Sequence, residues 1–292
     1  MKALLAFEPF HQDKERLQGM HRLLAQIAGS TSGVELAFIV THQEAELNEA
    51  KNIREKDRYT SYPVSIVNAA LKKANLKIAD GGIHVLDQDT RSVTPAVDRL
   101  LKLAASRKAD LVGLYTHARA GFTRFVLGSF AETAIHRSKV SLLLVNPKCK
   151  IAPKIRKVVF ATDFGPSAAK HLRATLALCR TLKANLTILH HAEVTYGWSL
   201  NESSPQIQAY RKNVDKWKAD AEQQCRKAGI TSEVVITSEF IGTTDFILRS
   251  SAKAGTDLIV MSAKVGPAAA LMGGSVSRKV VRASDVPVLI LK

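Results

Sequence analysis

Short apolar runs alternate along the chain with longer amphipathic segments. In the second half, Lys157–Thr162 is β-branched and apolar almost throughout, which predicts a strand buried on both faces of a sheet. Four further strands are predicted there, at Leu186–His190, Glu233–Ile236, Asp257–Met261 and Val286–Leu291. The segments between them show helical spacing, and one carries the apolar stripe Ile207, Tyr210, Val214, Trp217 and Ala221, which we interpret as core packing rather than an aromatic ligand site.

The first half repeats this alternation. Its predicted strands are Ala3–Phe7, Glu35–Val40, Ile83–Leu86, Asp110–Leu114 and Ser141–Val145. Its predicted helices are Asp13–Ile27, Glu44–Ala74 with a break at Pro63, Pro95–Ser106 and Ser129–His136. Strands that alternate with helices indicate parallel sheets with right-handed crossovers. Residues 146–155, with two prolines among lysines, are predicted to link domains at 1–147 and 153–292.

The chain also repeats itself at about half its length. Three segments recur at offsets of 146 or 147 residues: 109–112 at 256–259, 127–130 at 273–276, and 140–145 at 286–291. A period this long indicates a duplicated domain rather than a solenoid. The second copy is one residue shorter between its fourth strand and the following helix.

The duplicated pattern predicts where a ligand would bind. Doubly wound sheets bind ligands beyond the carboxyl ends of their strands, where the strand order reverses. The loops concerned follow strands one and four: Glu8 and Tyr115–Gly128 in the first copy, Asp163 and Ser262–Gly274 in the second. Each fourth-strand loop ends in Gly-Ser at a helix start, where free N–H groups and the helix dipole favour anions. A plain helix cap is the alternative explanation for each Gly-Ser pair.

Several segments resemble the signatures of the universal stress protein family. These are the opening segment Val158–Phe164, the fourth-strand segment Ala254–Met261, and the closing segments Gly274–Ser277 and Val286–Leu289. The resemblance covers essentially the whole chain, twice. It implies two doubly wound, Rossmann-like α/β domains with five-stranded parallel sheets. Because the family pairs such domains through their fifth strands, it also implies an internal pseudo-dimer.

The resemblance further implies a nucleotide site, from which both copies depart. Nucleotide-binding members of the family carry a Gly-x-x-Gly motif that is followed, after nine residues, by Gly-Ser or Gly-Thr. They also have an Asp after the first strand. The first copy keeps the spacing and Gly128-Ser129, but it has Tyr115 and Ala118 for the early glycines and Glu8 for the Asp. The second copy keeps Asp163, Gly274 and Ser275, but it has Ser262 and Val265 at the early glycine positions; Gly266 partly compensates.

These departures rank the two sites. The short carboxylate of Asp163 suits a ribose or adenine, and Ser262 is small enough to admit a ligand, whereas the bulk of Tyr115 would fill its own pocket. The first copy retains the full loop with Arg119 and Arg124, whose guanidinium groups suit phosphate oxygens. We therefore expect a weak nucleoside site for ATP or AMP in the second copy. A bare-anion site is expected in the first.

The net charge indicates which partners the protein could bind, and the cysteines indicate its cellular compartment. The net charge is +16, and both halves share it: 22 Lys and Arg against 15 Asp and Glu in residues 1–150, 20 against 11 in the remainder. An anionic partner such as a nucleotide, RNA, polyphosphate or acidic protein fits this balance, and so does a solvated basic surface alone. The three cysteines form no CxxC or metal spacing, which fits a cytoplasmic protein; Cys179 and Cys225 are predicted as buried helix residues. The sequence contains no run of 18 apolar residues, so no membrane span is predicted.

Enzyme motifs are missing from the sequence. It contains no GxxxxGK[ST], GxGxxG, HExxH or GxSxG. His190 and His191 lie at the end of a strand, which turns them to opposite faces of the sheet, so the pair would chelate a metal poorly. His117 lies in a loop and is a candidate for contact with a phosphate. The leading hypothesis is a cytoplasmic stress-response protein that acts by binding, as a monomeric pseudo-dimer or a homodimer. The alternatives are an interaction module without nucleotide and a weak ATP-handling enzyme.

Overall fold

A computed structural model of the chain describes residues 1–7, 14–30, 33–40, 61–79, 81–87, 92–116, 128–165, 167–192, 205–238, 241–262 and 275–292. The chain divides into two compact units. The N-terminal unit runs from Met1 to Lys154 and the C-terminal unit from Ile155 to Leu291.

The N-terminal unit is a parallel sheet with helices between its strands. Its elements are β1 (Ala3–Ala6), α1 (Lys14–Ala28), β2 (Val34–Val40), α2 (Ser61–Lys73), β3 (Ile83–Asp87), α3 (Val93–Ser106), β4 (Leu111–Tyr115), α4 (Ser129–Arg137) and β5 (Ser141–Val145). The strand order is β3-β2-β1-β4-β5, and every neighbouring pair is parallel. The order therefore reverses between β1 and β4.

The C-terminal unit repeats this topology. Its elements are β6 (Lys157–Ala161), α5 (Ala168–Leu182), β7 (Asn185–His191), α6 (Pro205–Ala228), β8 (Ser232–Thr237), α7 (Thr243–Ala254), β9 (Leu258–Ser262), α8 (Ser275–Ala283) and β10 (Val288–Leu291). The order β8-β7-β6-β9-β10 is again parallel throughout. The predicted α/β class with five parallel strands in each half is confirmed, and the second reversal lies between β6 and β9.

Burial explains why these segments form central strands. In β6, Val158, Val159 and Phe160 are all at most 1% exposed, so side chains on both faces of the strand are covered. Helices α5 and α6 pack together, and α7 packs against α8. A strand that is covered on both faces has a continuous run of apolar residues, which is the pattern that the sequence shows.

The predicted long helix of residues 44–74 is described only in its second part. Helix α2 begins at Ser61, and residues 41–60 lie outside the described part of the chain. Pro63 occupies the first turn of α2, where its missing N–H leaves no helical bond unmade. Within the described residues, Pro63 therefore belongs to the start of a helix.

A charged cluster ties together the amino ends of β2 and β3. Glu35 accepts bonds from Arg107 Nε at 2.8 Å and from Arg107 Nη2 at 2.9 Å, and its Oε2 lies 2.7 Å from His84 Nε2. The hydrogen bond from Arg107 holds the pKa of the Glu35 carboxyl below its usual range, with a smaller lowering from His84. Arg107 caps the carboxyl end of α3, so the cluster joins a helix to two strands.

Candidate functional site

The switch point of the C-terminal unit brings two predicted site residues to neighbouring strand ends. Ala161 of β6 is in register with Met261 of β9. Asp163 follows two residues after Ala161, and Ser262 is the last residue of β9. Parallel strands end at the same edge of a sheet, so the two polar side chains belong to one edge.

A tight turn positions Asp163. Its Oδ1 accepts the Gly165 N–H at 2.9 Å, and the buried Thr162 accepts the Phe164 N–H through Oγ1 at 3.1 Å. Phe164 has φ +51°, a left-handed conformation that is unusual for a bulky residue. These bonds hold the backbone in that conformation, and Asp163 remains exposed to solvent.

A histidine that the sequence does not single out holds Ser262. His171, in the first turn of α5, is 3% exposed, and its Nδ1 lies 2.8 Å from Ser262 Oγ. The pair joins α5 to the end of β9, and Ser262 itself is half-buried. Nothing in the sequence pattern relates these two residues, which are separated by 91 positions.

The N-terminal unit fills the corresponding place with Tyr115. The Tyr115 hydroxyl donates to the carbonyl oxygen of Arg16, in the first turn of α1, at 3.0 Å. Tyr115 ends β4 as Ser262 ends β9. In both units, a side chain from the end of the fourth strand therefore bonds to the first turn of the first helix. The phenol does so with far more bulk than the serine.

Helices begin at the serines of the two predicted Gly-Ser pairs. Gly128 is the cap residue of α4, with extended φ −60° and ψ 144°, and its carbonyl accepts the Glu132 N–H at 3.1 Å. The exposed Ser129 is the first helical residue, so the glycine rather than the serine occupies the cap position. Ser275 likewise begins α8. The remaining candidates lie outside the described residues: Glu8, His117, Ala118, Arg119, Arg124, Val265, Gly266 and Gly274.

The two adjacent histidines of β7 face opposite sides of the sheet. His190 Nδ1 lies 3.0 Å from the Thr162 carbonyl and its Nε2 3.2 Å from the Tyr210 hydroxyl. His191 Nδ1 instead lies 2.9 Å from Thr243 Oγ1 of α7. Burial lowers the pKa of His190 despite the bond to Thr162. Each ring is used in packing on its own face, which agrees with the prediction of a poor chelate.

Two cysteines are buried in helices, as predicted. Cys179 of α5 is 1% exposed and Cys225 of α6 is fully buried. Burial raises the pKa of the Cys179 thiol to about 12, with a smaller contribution from Cys225. A thiol with so high a pKa is a poor nucleophile at neutral pH.

The described residues bear on metal binding and on membrane insertion. No group of three His, Cys, Asp or Glu side chains there lies close enough to hold a metal ion. None of the helices in the same ranges combines the length and apolar character needed to cross a bilayer.

Comparisons with known proteins agree with the fold. The model of the universal stress protein family matches residues 19–146 and again 154–292. A search of curated proteins finds no significant match. Among solved structures, a universal stress protein from Archaeoglobus fulgidus aligns with a TM-score of 0.65 at 17% identity, covering 99% of this chain and 96% of that one.

Two further structures extend the comparison. A protein of unknown function from Pseudomonas aeruginosa aligns with a TM-score of 0.65 at 13% identity, covering 100% of this chain and 92% of its own. An Archaeoglobus fulgidus universal stress protein in complex with dAMP covers 47% of this chain and 98% of its own, at 19% identity and a TM-score of 0.35. Because the family model matches both halves of the sequence, the chain belongs to the universal stress protein family.

Proposed function

We propose that the protein is a cytoplasmic regulatory protein that responds to a nucleotide by binding it rather than turning it over. The nucleoside part is placed at the carboxyl ends of β6 and β9, beside Asp163 and Ser262. One observation carries this choice of unit: Tyr115 bonds across to Arg16 in the N-terminal unit, whereas the smaller Ser262 occupies the equivalent position in the C-terminal unit.

The chemistry of Asp163 supports a role in binding the sugar or base. An ionised carboxylate has about four acceptor positions on its two oxygens. The bond from Gly165 occupies one position on Oδ1 and orients the group at an exposed turn. Because the turn is exposed, a ribose hydroxyl or an adenine amino group can reach the carboxylate.

Phosphate recognition would come from the helix starts. The first N–H groups of α8, from Ser275 onwards, have no partner within the helix and carry a partial positive charge. Gly128 and Ser129 offer the same arrangement at α4. Because Tyr115 bonds across to Arg16 in the N-terminal unit, we assign nucleoside binding to the C-terminal unit and a bare-anion site to the N-terminal unit.

Calorimetric titration with AMP, ATP and inorganic phosphate tests the assignment. We expect Asp163→Ala to weaken AMP binding about tenfold, the effect of losing one charge-assisted hydrogen bond. Asp163→Asn keeps an acceptor for Gly165 but loses the charge, so it separates a binding role from a role in the turn. Asp215→Ala, at an exposed carboxylate of α6, is the matched control.

Ser129→Ala completes the experiment. It should leave AMP binding unchanged and weaken phosphate binding. The ranking of the two units is wrong if Ser129→Ala removes nucleotide binding while Asp163→Ala leaves it intact. Absence of binding by all three ligands would favour an interaction module without nucleotide. That alternative is suggested by Tyr115, Ala118, Ser262 and Val265 at the glycine positions.

A further inference from the structure

A cavity of about 240 Å³ lies between α5 and α6 in the C-terminal unit. Its floor is the sheet face, where Phe160 of β6 and Ile188 of β7 line it. It is distinct from the contact with β9, because α5 presents Ala168 and Leu172 to the cavity and His171 to Ser262. The cavity and the contact with Ser262 therefore use different residues of α5.

Two stacked aromatic rings, those of Phe164 and Trp217, line one wall of the cavity. Phe164 and Trp217 have centroids 5.4 Å apart and ring planes inclined by 21°. His190 lies 4.8 Å from Phe164, and Tyr210 meets Trp217 edge-on at 6.3 Å. These are favourable aromatic geometries, and they bring four rings from two strand ends and one helix into one cluster.

Hydrogen bonds fix this wall in place. The turn that gives Phe164 its left-handed φ is held by the bond from its N–H to Thr162. Because a carbonyl can only accept, the contact with Thr162 places a hydrogen on His190 Nδ1, and Nε2 of the neutral ring can then accept from Tyr210. The aromatic surface is thus formed before any ligand arrives, which lowers the entropic cost of binding.

Small side chains keep the space open. Alanines at 168 and 169 of α5 and at 221 of α6 line the cavity where larger apolar residues would fill it. Ala168 and Ala221 are 8% and 1% exposed, so a larger side chain at either position would project between the helices. Pockets for small ligands are typically concave and mostly apolar, with few polar groups.

The polar part of the cavity has the opposite charge from the chain as a whole. Among the described lining residues, the ionisable side chain is Asp220, and Gln224 lies one helical turn after it. Asp220 is exposed and sits three positions beyond Trp217, on the same face of α6. A carboxylate beside an aromatic wall attracts a cation that also has a flat apolar body.

From this arrangement we propose that the cavity binds a small planar aromatic cation, an aryl amine or amidine. The ring packs against the Phe164–Trp217 pair and the cationic group pairs with Asp220. This ligand class carries no phosphate, so the site is separate in chemistry from the nucleotide site proposed above.

A series of three probes with one ring and different charge tests the proposal. Benzamidine is a cation, benzamide is neutral and benzoate is an anion, and each can be titrated by ligand-observed NMR against the full chain. We expect benzamidine to bind, benzamide to bind about tenfold more weakly, and benzoate to show no binding, because the charge-assisted bond to Asp220 is lost and then reversed. Equal binding of benzamidine and benzoate, or no binding of benzamidine at millimolar concentrations, would overturn the proposal.

Two variants localise the binding. Asp220→Asn should weaken benzamidine about tenfold, whereas Asp215→Asn, on the same helix but outside the cavity, should not. Ala169→Leu fills the cavity from an exposed position and should abolish benzamidine binding with an unchanged melting temperature. If Asp220→Asn and Asp215→Asn weaken benzamidine equally, the cation is held by general charge and the proposed site is wrong.

Discussion

His171 Nδ1 and Ser262 Oγ lie 2.8 Å apart, and this contact attaches the first helix of the C-terminal unit to its fourth strand. Tyr115 and Arg16 make the equivalent attachment in the N-terminal unit, with a hydroxyl donating to a carbonyl at 3.0 Å. The duplicated domain has thus kept the connection while changing both partners. Because each connection lies at a switch point, we expect the residue that ends the fourth strand to affect both stability and access to the proposed site.

The first prediction concerns the strength of this contact. Ser262→Ala leaves the His171 ring nitrogen buried without its hydroxyl partner, which should cost about 1–3 kcal/mol in the free energy of unfolding. His171→Phe removes the other partner and fills the same volume. Urea unfolding of both single variants and the double variant measures the coupling. A double variant whose loss equals the sum of the single losses would show that the contact contributes nothing.

Strand positions could be predicted from the sequence because they follow from local patterns. Ser141–Val145 was predicted from its apolar run and is β5 with the same bounds. The prediction of a strand at Val286–Leu291 begins two residues too early, since β10 begins at Val288. The reason is that Pro287 has no N–H group with which to hydrogen-bond to a neighbouring strand. The placement of Asp163 and Ser262 at neighbouring strand ends follows from the strand order that such alternation implies.

Contacts that depend on how helices are rotated against the sheet could not be predicted. The partner of Ser262 is set by the orientation of α5, which no pattern specifies to a single residue. The left-handed Phe164 lacks the glycine that usually marks such a backbone. Tyr210 and Trp217 belong to a stripe predicted as core, yet both are half-exposed, and Trp217 lines the cavity beside the small residues of α5.

A second prediction follows from the close approach of β4 to α1. A methyl group added at Gly113 would lie 2.8 Å from Leu24 Cδ1 and 3.2 Å from Met20 Cε. Gly113→Ala should therefore destabilise the protein by about 1–3 kcal/mol through overpacking. Adding Leu24→Ala should recover part of that loss, which thermal unfolding can measure. If Gly113→Ala alone raises the melting temperature, α1 and β4 pack less closely than described.

The corresponding residues of the C-terminal unit show how the same backbone tolerates a larger strand residue. Gly113 is in register with Leu5, and Val260 occupies the equivalent position beside Phe160. Buried Thr175 and Cys179 of α5 stand at the helical positions that Met20 and Leu24 occupy in α1. Smaller helix residues thus accompany the larger strand residue.

A third prediction concerns the pH dependence of the Glu35 cluster. Arg107→Ala should lower the free energy of unfolding at neutral pH, because it removes the bidentate partner of Glu35. The pKa of Glu35 is lowered in the folded state, so its stabilising contribution is complete above the unfolded pKa and is lost as pH falls through the folded pKa. The difference between wild type and variant should therefore shrink in acid. Lys73→Ala, at an exposed cation of α2, should show no such trend.

The last prediction concerns His190, whose pKa is lowered chiefly by burial. Below about pH 6.5 the unfolded chain binds a proton at this residue while the folded chain resists it. The contribution of neutral His190 to the free energy of unfolding is therefore complete above about pH 6.5. It is lost as the pH falls towards the pKa of His190 in the folded chain. Replacing His190 with Gln keeps a donor and an acceptor but cannot titrate, so the free energy of unfolding of the variant should fall less steeply between pH 6.5 and pH 5. The control is His136→Gln, at an exposed histidine of α4, which should retain the wild-type slope. Urea unfolding measures how steeply the free energy of unfolding changes with pH. If wild type and His190→Gln show the same slope, the buried ring accepts its proton as readily in the folded chain as in the unfolded one. The bond to Tyr210 would then not require the neutral ring.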